Sequence, residues 1–355
     1  MYKERQRILL KYIEKENLDG ILISSNENIF YLTGAPLVRG SFCKILYLSK
    51  DGNAYLVVTA LDYQETLDYA KEVEVVKAEN GLLEEVKRFI GRRVGFEEKS
   101  MNYSMYQSLI NSTELIPASN YLERMRERKD EKEVQLIMEA QKITEKALLE
   151  GLEKFSENMS EIELAAELEY FMRKFGAEGY AFDTIVASGY RSVYPHGSPI
   201  KKRIEVGENI IIDIGARLHG YCSNITRTVF FGKPKKDIVE IYEAVVNAQE
   251  AVIKAIKPGI EGKELDKIAR EILREYGYDE YFIHGLGHGI GIDVHEAPFI
   301  NRKCNRIVEI GNVITIEPGV YMPRVGGVRI EDLVLVTNGG CKNLTEFTKE
   351  FYEVG

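Results

Sequence analysis

Apolar positions recur at helical spacing over residues 3–18, placing Ile8, Leu9, Tyr12 and Ile13 on one face. A short apolar run at Gly20-Ile-Leu-Ile-Ser24 then predicts a strand. Lys44-Ile-Leu-Tyr-Leu-Ser49 and Ala54-Tyr-Leu-Val-Val58 flank Lys50-Asp-Gly-Asn53, where glycine is available for positive φ, so this stretch predicts a hairpin. A further strand is expected at Arg93-Val-Gly-Phe96. The charged run Glu123–Asp130 marks a boundary, dividing the chain into an N-terminal α/β domain at 1–124 and a larger domain at 125–355. Beyond it the period lengthens. Val134, Ile137, Met138, Ile143, Ala147 and Leu148 keep helical spacing, and Ser160-Glu-Ile-Glu163 has the form of a capping box. Helices are expected again at 238–256, ended by Lys257-Pro-Gly259, and at 263–275, ended by Gly277.

One pattern repeats. Glu205-Val-Gly-Glu-Asn-Ile-Ile-Ile-Asp-Ile-Gly215 resembles Glu309-Ile-Gly-Asn-Val-Ile-Thr-Ile-Glu-Pro-Gly319. In each, a glycine lies six residues before an acidic residue set in a β-branched strand, and helices precede each copy. The echo predicts two related α/β halves, each supplying a carboxylate at the same strand position. The fold class is therefore α/β, of the α+β kind.

Composition narrows the function. The 355 residues are 45% hydrophobic and 29% charged, ordinary for a soluble protein with a sizeable core. A net charge of -9 argues against nucleic acid as a partner, because phosphate binding needs a basic face. No apolar run approaches the roughly 20 residues of a membrane span. Met1-Tyr-Lys-Glu-Arg5 begins no signal peptide. Cys43, Cys222, Cys304 and Cys341 form no CxxC pair, which fits reduced thiols in a cytoplasmic protein.

The chemistry concentrates in the second domain. Asp213 interrupts an apolar strand, where a lone charge is costly unless it is paired or bound to a metal. A returning strand follows at Tyr221–Phe230, and a symmetric count sets Asp213 opposite Asn224. Glu317 and Glu331 repeat the arrangement, the latter on Gly327–Val336. Between the hairpins lies His284-Gly-Leu-Gly-His-Gly-Ile-Gly-Ile-Asp-Val-His-Glu-Ala-Pro298. Three of only five histidines fall there, among glycines that disfavour a helix and allow close backbone approach. His219 lies in the predicted turn and reads as solvent-exposed, and Asp332 as structural.

These segments resemble the prolidase and aminopeptidase P family, whose catalytic domain has the pita-bread fold. Asn28-Ile-Phe-Tyr-Leu-Thr-Gly34 is similar to that family's N-terminal domain, which is shared with creatinase. The resemblance implies two divalent metal ions (manganese or cobalt first, zinc or iron next) held by Asp213, Asn224, His288, Glu317 and Glu331. It further implies hydrolysis of Xaa-Pro bonds, with Glu317 as proton acceptor, His295 on the oxyanion, His196 on the substrate and Arg329 bracing Glu331. His284 is left as either a supporting residue or a substrate contact. The family pattern also implies a homodimer.

Asn224 departs from that pattern, which has an aspartate bridging both metals. Two dications ~3.5 Å apart repel by roughly 19 kcal/mol at an effective dielectric of ~20, so losing an anionic bridge weakens one metal. Three readings follow: an engineered, inactivated form of a peptidase, a natural variant with one metal or a weakly held second, or a peptide-binding protein on a peptidase scaffold. A metal-independent amidinohydrolase resembling creatinase ranks lower, because four of the five ligands remain. Metal affinity is expected to fall below pH ~6, where carboxylates and His288 take up protons.

Overall fold

Two long hairpins form the centre of the larger, C-terminal part of this chain. The first joins Asn209–Ile214 to Ile225–Phe231, with Asp213 facing Thr226. The same register runs on through Leu218↔Tyr221, leaving His219 and Gly220 as a two-residue loop. Both have positive φ, 48° and 80°, the conformation whose twist suits a tight hairpin. The count that opposes Asp213 to Asn224 is therefore off by two, since it would force the bulky Leu218 into positive φ. Asn224 instead lies in the break between Tyr221–Cys222 and Ile225–Phe231.

The second hairpin pairs Val313–Ile316 with Asp332–Thr337, then Gly319–Met322 with Gly326–Arg329, all in one register. The ladder breaks at Glu317-Pro318 and Ile330-Glu331, which that register sets across from one another. The two hairpins meet at a bridge between Thr226 and Glu331. Each stands in its own sheet. The first sheet runs Glu353–Val354, Ile225–Phe231, Asn209–Ile214, Ile185–Ser188. The second runs Glu296–Ile300, Gly287–Gly289, Val313–Ile316, Asp332–Thr337, Gly340–Asn343.

A helix pair covers each sheet. Glu131–Glu153 and Glu161–Lys174 bury Ala147, Leu148, Leu164 and Leu168 against Ile210, Ile212 and Val229. Lys236–Ala255 and Gly262–Glu275 bury Ile241, Val245, Leu265 and Leu273 against Ile314, Ile316 and Val334. Ser160 precedes the helix as expected, and the Glu163 carboxylate accepts hydrogen bonds from its backbone N–H (2.8 Å) and hydroxyl (2.6 Å). The internal echo thus corresponds to two halves of like construction.

The computed structural model describes residues 1–37 and 43–354, and the chain divides into compact units at Met1–Met125 and Arg126–Gly355. In the first unit, a six-stranded mixed sheet has Gly20–Ile23 at its middle, antiparallel to Lys44–Ser49 and parallel to Arg93–Phe96. Helix Tyr2–Lys15 buries Leu9 and Ile13, as its period predicts, with Tyr12 half-buried, but Ile8 of the same expected face is exposed. The segment Asn28–Gly34 proves helical. Ser25 caps helix Asn26–Thr33, and Gly34 closes it in the left-handed region. Buried Glu97 accepts from the backbone N–H of Ser24 and Ser25 and from the Asn28 amide.

Behind the bridge, Arg227 and Asp332 form a buried pair at 2.7 Å, and Asn343 and Lys349 also face that carboxylate. Burial pushes the Asp332 carboxyl up, but Arg227 and Lys349 outweigh it and hold it below its usual value. Asp332→Ala should cost ~3 kcal/mol or more in denaturant unfolding, because it strands a buried guanidinium. A loss below ~1 kcal/mol would show that the backbone carbonyls around Arg227 are sufficient partners.

Candidate metal centre

Where the hairpins break, their acidic side chains converge. Ligand atoms of His288, Glu317 and Glu331 lie within 4.8 Å of one another. Asp213 and Asn224 line the same cavity, as do His196, His284, His295 and Arg329. The cavity holds about 710 Å³, in the range that takes a small ligand.

His288 occupies the middle of Gly287–Gly289, a strand squeezed between two others. A Cβ at position 287 would lie 2.0 Å from the Thr315 carbonyl oxygen, and one at 289 would lie 2.3 Å from that of Ala297. Glycine is required on both sides of the histidine for this reason. The Nδ1 of His288 lies 3.0 Å from the Gly289 carbonyl oxygen, which only accepts, so Nδ1 carries the proton. That leaves the Nε2 lone pair directed at Glu317, 3.3 Å away. Thr315 sets both neighbours, accepting from the His288 N–H (2.9 Å) and donating to Glu317 Oε1 (3.2 Å).

Glu331 is fully buried, and Thr226 donates to its Oε2 at 2.7 Å. Arg329 donates to Asp213 Oδ2 (2.6 Å), to the Tyr321 hydroxyl (2.8 Å) and to the Pro195 carbonyl beside His196 (3.2 Å). Its Nε also reaches the Thr226 hydroxyl at 3.2 Å. Arg329 therefore braces Asp213 directly and Glu331 only through Thr226. His284 ends a relay. Its Nδ1–H donates to the Gly285 carbonyl (2.7 Å), and its Nε2 pairs with the Tyr321 hydroxyl (2.9 Å). His295 is exposed, its ring edge-on to His288 with centroids 4.4 Å apart. His196 is exposed on the cavity wall, and His219 sits apart on the hairpin loop.

Electrostatics distinguishes these groups. Burial pushes Glu317 up to about 8, with Arg329 opposing the rise and Asp213 adding to it. Burial, followed by repulsion from Glu317 and Asp213, holds Glu331 well above its usual value. Burial lowers His288 to about 3 and His284 to about 4, so both are neutral at physiological pH. Asp213 Oδ1, Asn224 Oδ1 and Glu331 Oε1 are buried without a hydrogen-bond partner. Desolvated carboxylates, orphaned oxygens and a neutral imidazole with its lone pair turned inward fit a divalent cation.

Thr226, Thr315 and Tyr321 escape a reading of the sequence. The two threonines do carry a faint signal. Thr315 precedes Glu317 by two residues and so shares its face, and Thr226 stands in the same relation to Asn224. Nothing local singles out Tyr321 among 21 tyrosines.

Two sheets of like construction meeting at an acid-and-histidine centre define a metal-dependent peptidase of pita-bread architecture. The chain belongs to Metallopeptidase family M24, matched over residues 135–338, and carries a Creatinase/Prolidase N-terminal domain over 5–128. An Xaa-Pro dipeptidase of Pyrococcus horikoshii is 41% identical, with 98% of each chain covered. Among solved structures, an Xaa-Pro dipeptidase from Bacillus anthracis superposes with a TM-score of 0.94 at 35% identity, covering all of both chains. An X-Pro aminopeptidase from Thermotoga maritima gives 0.87 at 36%, covering 99% of this chain and 100% of its own.

The carboxylates, not His288, set the pH window for a cation. Glu317 keeps its proton below about 8, and a bound cation must displace that proton. Affinity should therefore decline as pH falls from about 8, rather than from pH ~6, and binding at pH 7 should release protons. Calorimetry of Mn²⁺ binding in buffers of different ionisation enthalpy reads this directly. A proton count of zero at pH 7 would refute the assignment.

Proposed function

We propose that this chain hydrolyses the bond between an N-terminal residue and a following proline, with Xaa-Pro dipeptides as its main substrates. The observation that carries the proposal is the convergence of His288, Glu317 and Glu331 at the foot of a cavity walled by histidines and apolar rings. The dipeptidase name of the relative matched over 98% of both chains supports the substrate length.

His288, Glu317 and Glu331 would hold the cation, with Asp213 and Asn224 beside them. A divalent ion there lowers the pKa of water and polarises a carbonyl. Manganese or cobalt is the choice we favour, with zinc or iron next, because oxygen ligands outnumber the single imidazole. Glu317 takes the proton of the attacking water on its carboxylate, a base role for which its burial prepares it while Thr315 fixes its position. His295 donates to the carbonyl oxygen as negative charge develops there. His196, held by the Pro195–Arg329 contact, faces the leaving proline. Phe182, Ile283 and Phe299 give the cavity apolar surface for the pyrrolidine ring. Arg329 positions Asp213 and Tyr321, and through Tyr321 it fixes His284.

Asn224 weakens this machinery. Its amide oxygen carries no charge, so it holds a cation less firmly than the carboxylate of the family pattern. The proposal includes a cytoplasmic location, supported by four free cysteines, and a homodimer, supported by the family resemblance and checked by light scattering. No described helix is long and apolar enough to cross a membrane.

Release of proline from Xaa-Pro dipeptides and tripeptides in Mn²⁺ or Co²⁺ tests the proposal. Asn224→Asp should raise kcat/KM at least about tenfold, equivalent to ~1.4 kcal/mol of transition-state stabilisation. If neither form turns over any Xaa-Pro peptide, the hydrolase reading fails and peptide binding without turnover takes its place.

A further inference from the structure

The charges around the centre do not call for two dications. Five side chains face it. With a cation bound and their protons displaced, Asp213, Glu317 and Glu331 bring three negative charges, while the Asn224 amide and a ligating imidazole at His288 bring none. Arg329 returns one positive charge, through a contact of 2.6 Å to Asp213 Oδ2. Both members of that pair are buried, so solvent screens it little. The net charge left is that of Glu317 and Glu331, which one dication balances.

The family pattern gives a different sum. An aspartate at 224 adds one negative charge, and a bridging hydroxide adds another, which together match two dications against the same arginine. With Asn224, a second dication and its hydroxide would leave the centre carrying net positive charge in a desolvated cavity. Geometry agrees with the charge. Among the histidine, cysteine and acidic side chains of the described residues, the one group of three whose ligand atoms lie within 4.8 Å of one another is His288, Glu317 and Glu331, and it leaves Asp213 out. The free oxygens of Asp213 and Asn224 offer a second position only half a neutralised carboxylate and a neutral amide.

We propose that this chain is a one-metal centre, with a single tight divalent cation among His288, Glu317 and Glu331, while the Asp213 charge is offset by Arg329 and Asn224 supplies none for a second cation. The inference rests on the preceding reading only in requiring a cation site. The second position fills at least roughly 100-fold more weakly than the first, because ligand charge governs affinity for hard cations.

Metal content after dialysis against micromolar Mn²⁺ and electron paramagnetic resonance together test it, independently of turnover. The native chain should retain one equivalent and give the six-line spectrum of isolated Mn²⁺. Asn224→Asp should retain two and give the multiline spectrum of a coupled pair. Within the native background, Glu331→Gln and His288→Ala should each lose the single equivalent, so the inference is tested even if Asn224→Asp fails to fold. Two equivalents with a coupled spectrum in the native chain would overturn it, as would retention of the tight ion in either of these variants. No binding by either form would overturn this inference and the cation site together. One equivalent with no peptidase activity would support it while removing the hydrolase reading.

Discussion

Asp213, Glu317 and Glu331 are brought together at the point where two apolar hairpins stop pairing, and most of the second unit is arranged around the cost of doing so. Carboxylates in that setting repel one another and have lost their water. Burial first, and repulsion among the carboxylates second, raise Glu317 and Glu331. Arg329 offsets part of this cost at Asp213, and the proposed cation would offset the rest. Everything that touches Arg329 is thereby tied to the charge of the centre, including Tyr321, His284 and the segment that carries His196.

The two halves answer the same problem with two arginines that have separate tasks. Arg227 and Arg329 lie on opposite sides of the bridge between Thr226 and Glu331. Arg227 is saturated by Asp332 and by backbone carbonyls of Thr226, Glu331, Phe347 and Thr348, so it holds the hairpins and the last strands together. Arg329 faces the cavity and spends its donors on groups that face substrate or metal. Adjacent residues Glu331 and Asp332 point to opposite faces of one strand, and that alternation separates the reactive carboxylate from the structural one.

The site was legible as an ordered set because its members are chemically out of place. An acid in an Ile-rich strand, or a histidine among glycines, contradicts its surroundings and so stands out. Hydroxyls do not. A threonine belongs in a strand on propensity alone, so the roles of Thr226 and Thr315 emerge only when register is known. Register itself was missed by two residues, because a symmetric count ignores the demand of the His219-Gly220 turn for two positive φ values. Helix Asn26–Thr33 was hidden for another reason. It is only two turns long, and besides burying Ile29 and Leu32 it is tied down by the Ser25 cap and by Glu97, about 70 residues away. The long helices of the second unit, whose apolar stripes pack directly on the sheets, were legible throughout.

Asn224 sits where the demands of folding and of chemistry pull in opposite directions. A fourth carboxylate would add repulsion to a cluster that already forces protons onto its members, so the metal-free fold is easier to hold with an amide there. The same neutrality removes the charge that a second cation needs. On the one-metal proposal, what remains is a scaffold whose acids match one dication plus one arginine, with Glu317, His295 and His196 still lining the cavity. Chemistry at such a centre relies more on Arg329 and on the histidines than a fully acidic centre would, because less metal charge is present to stabilise the oxyanion.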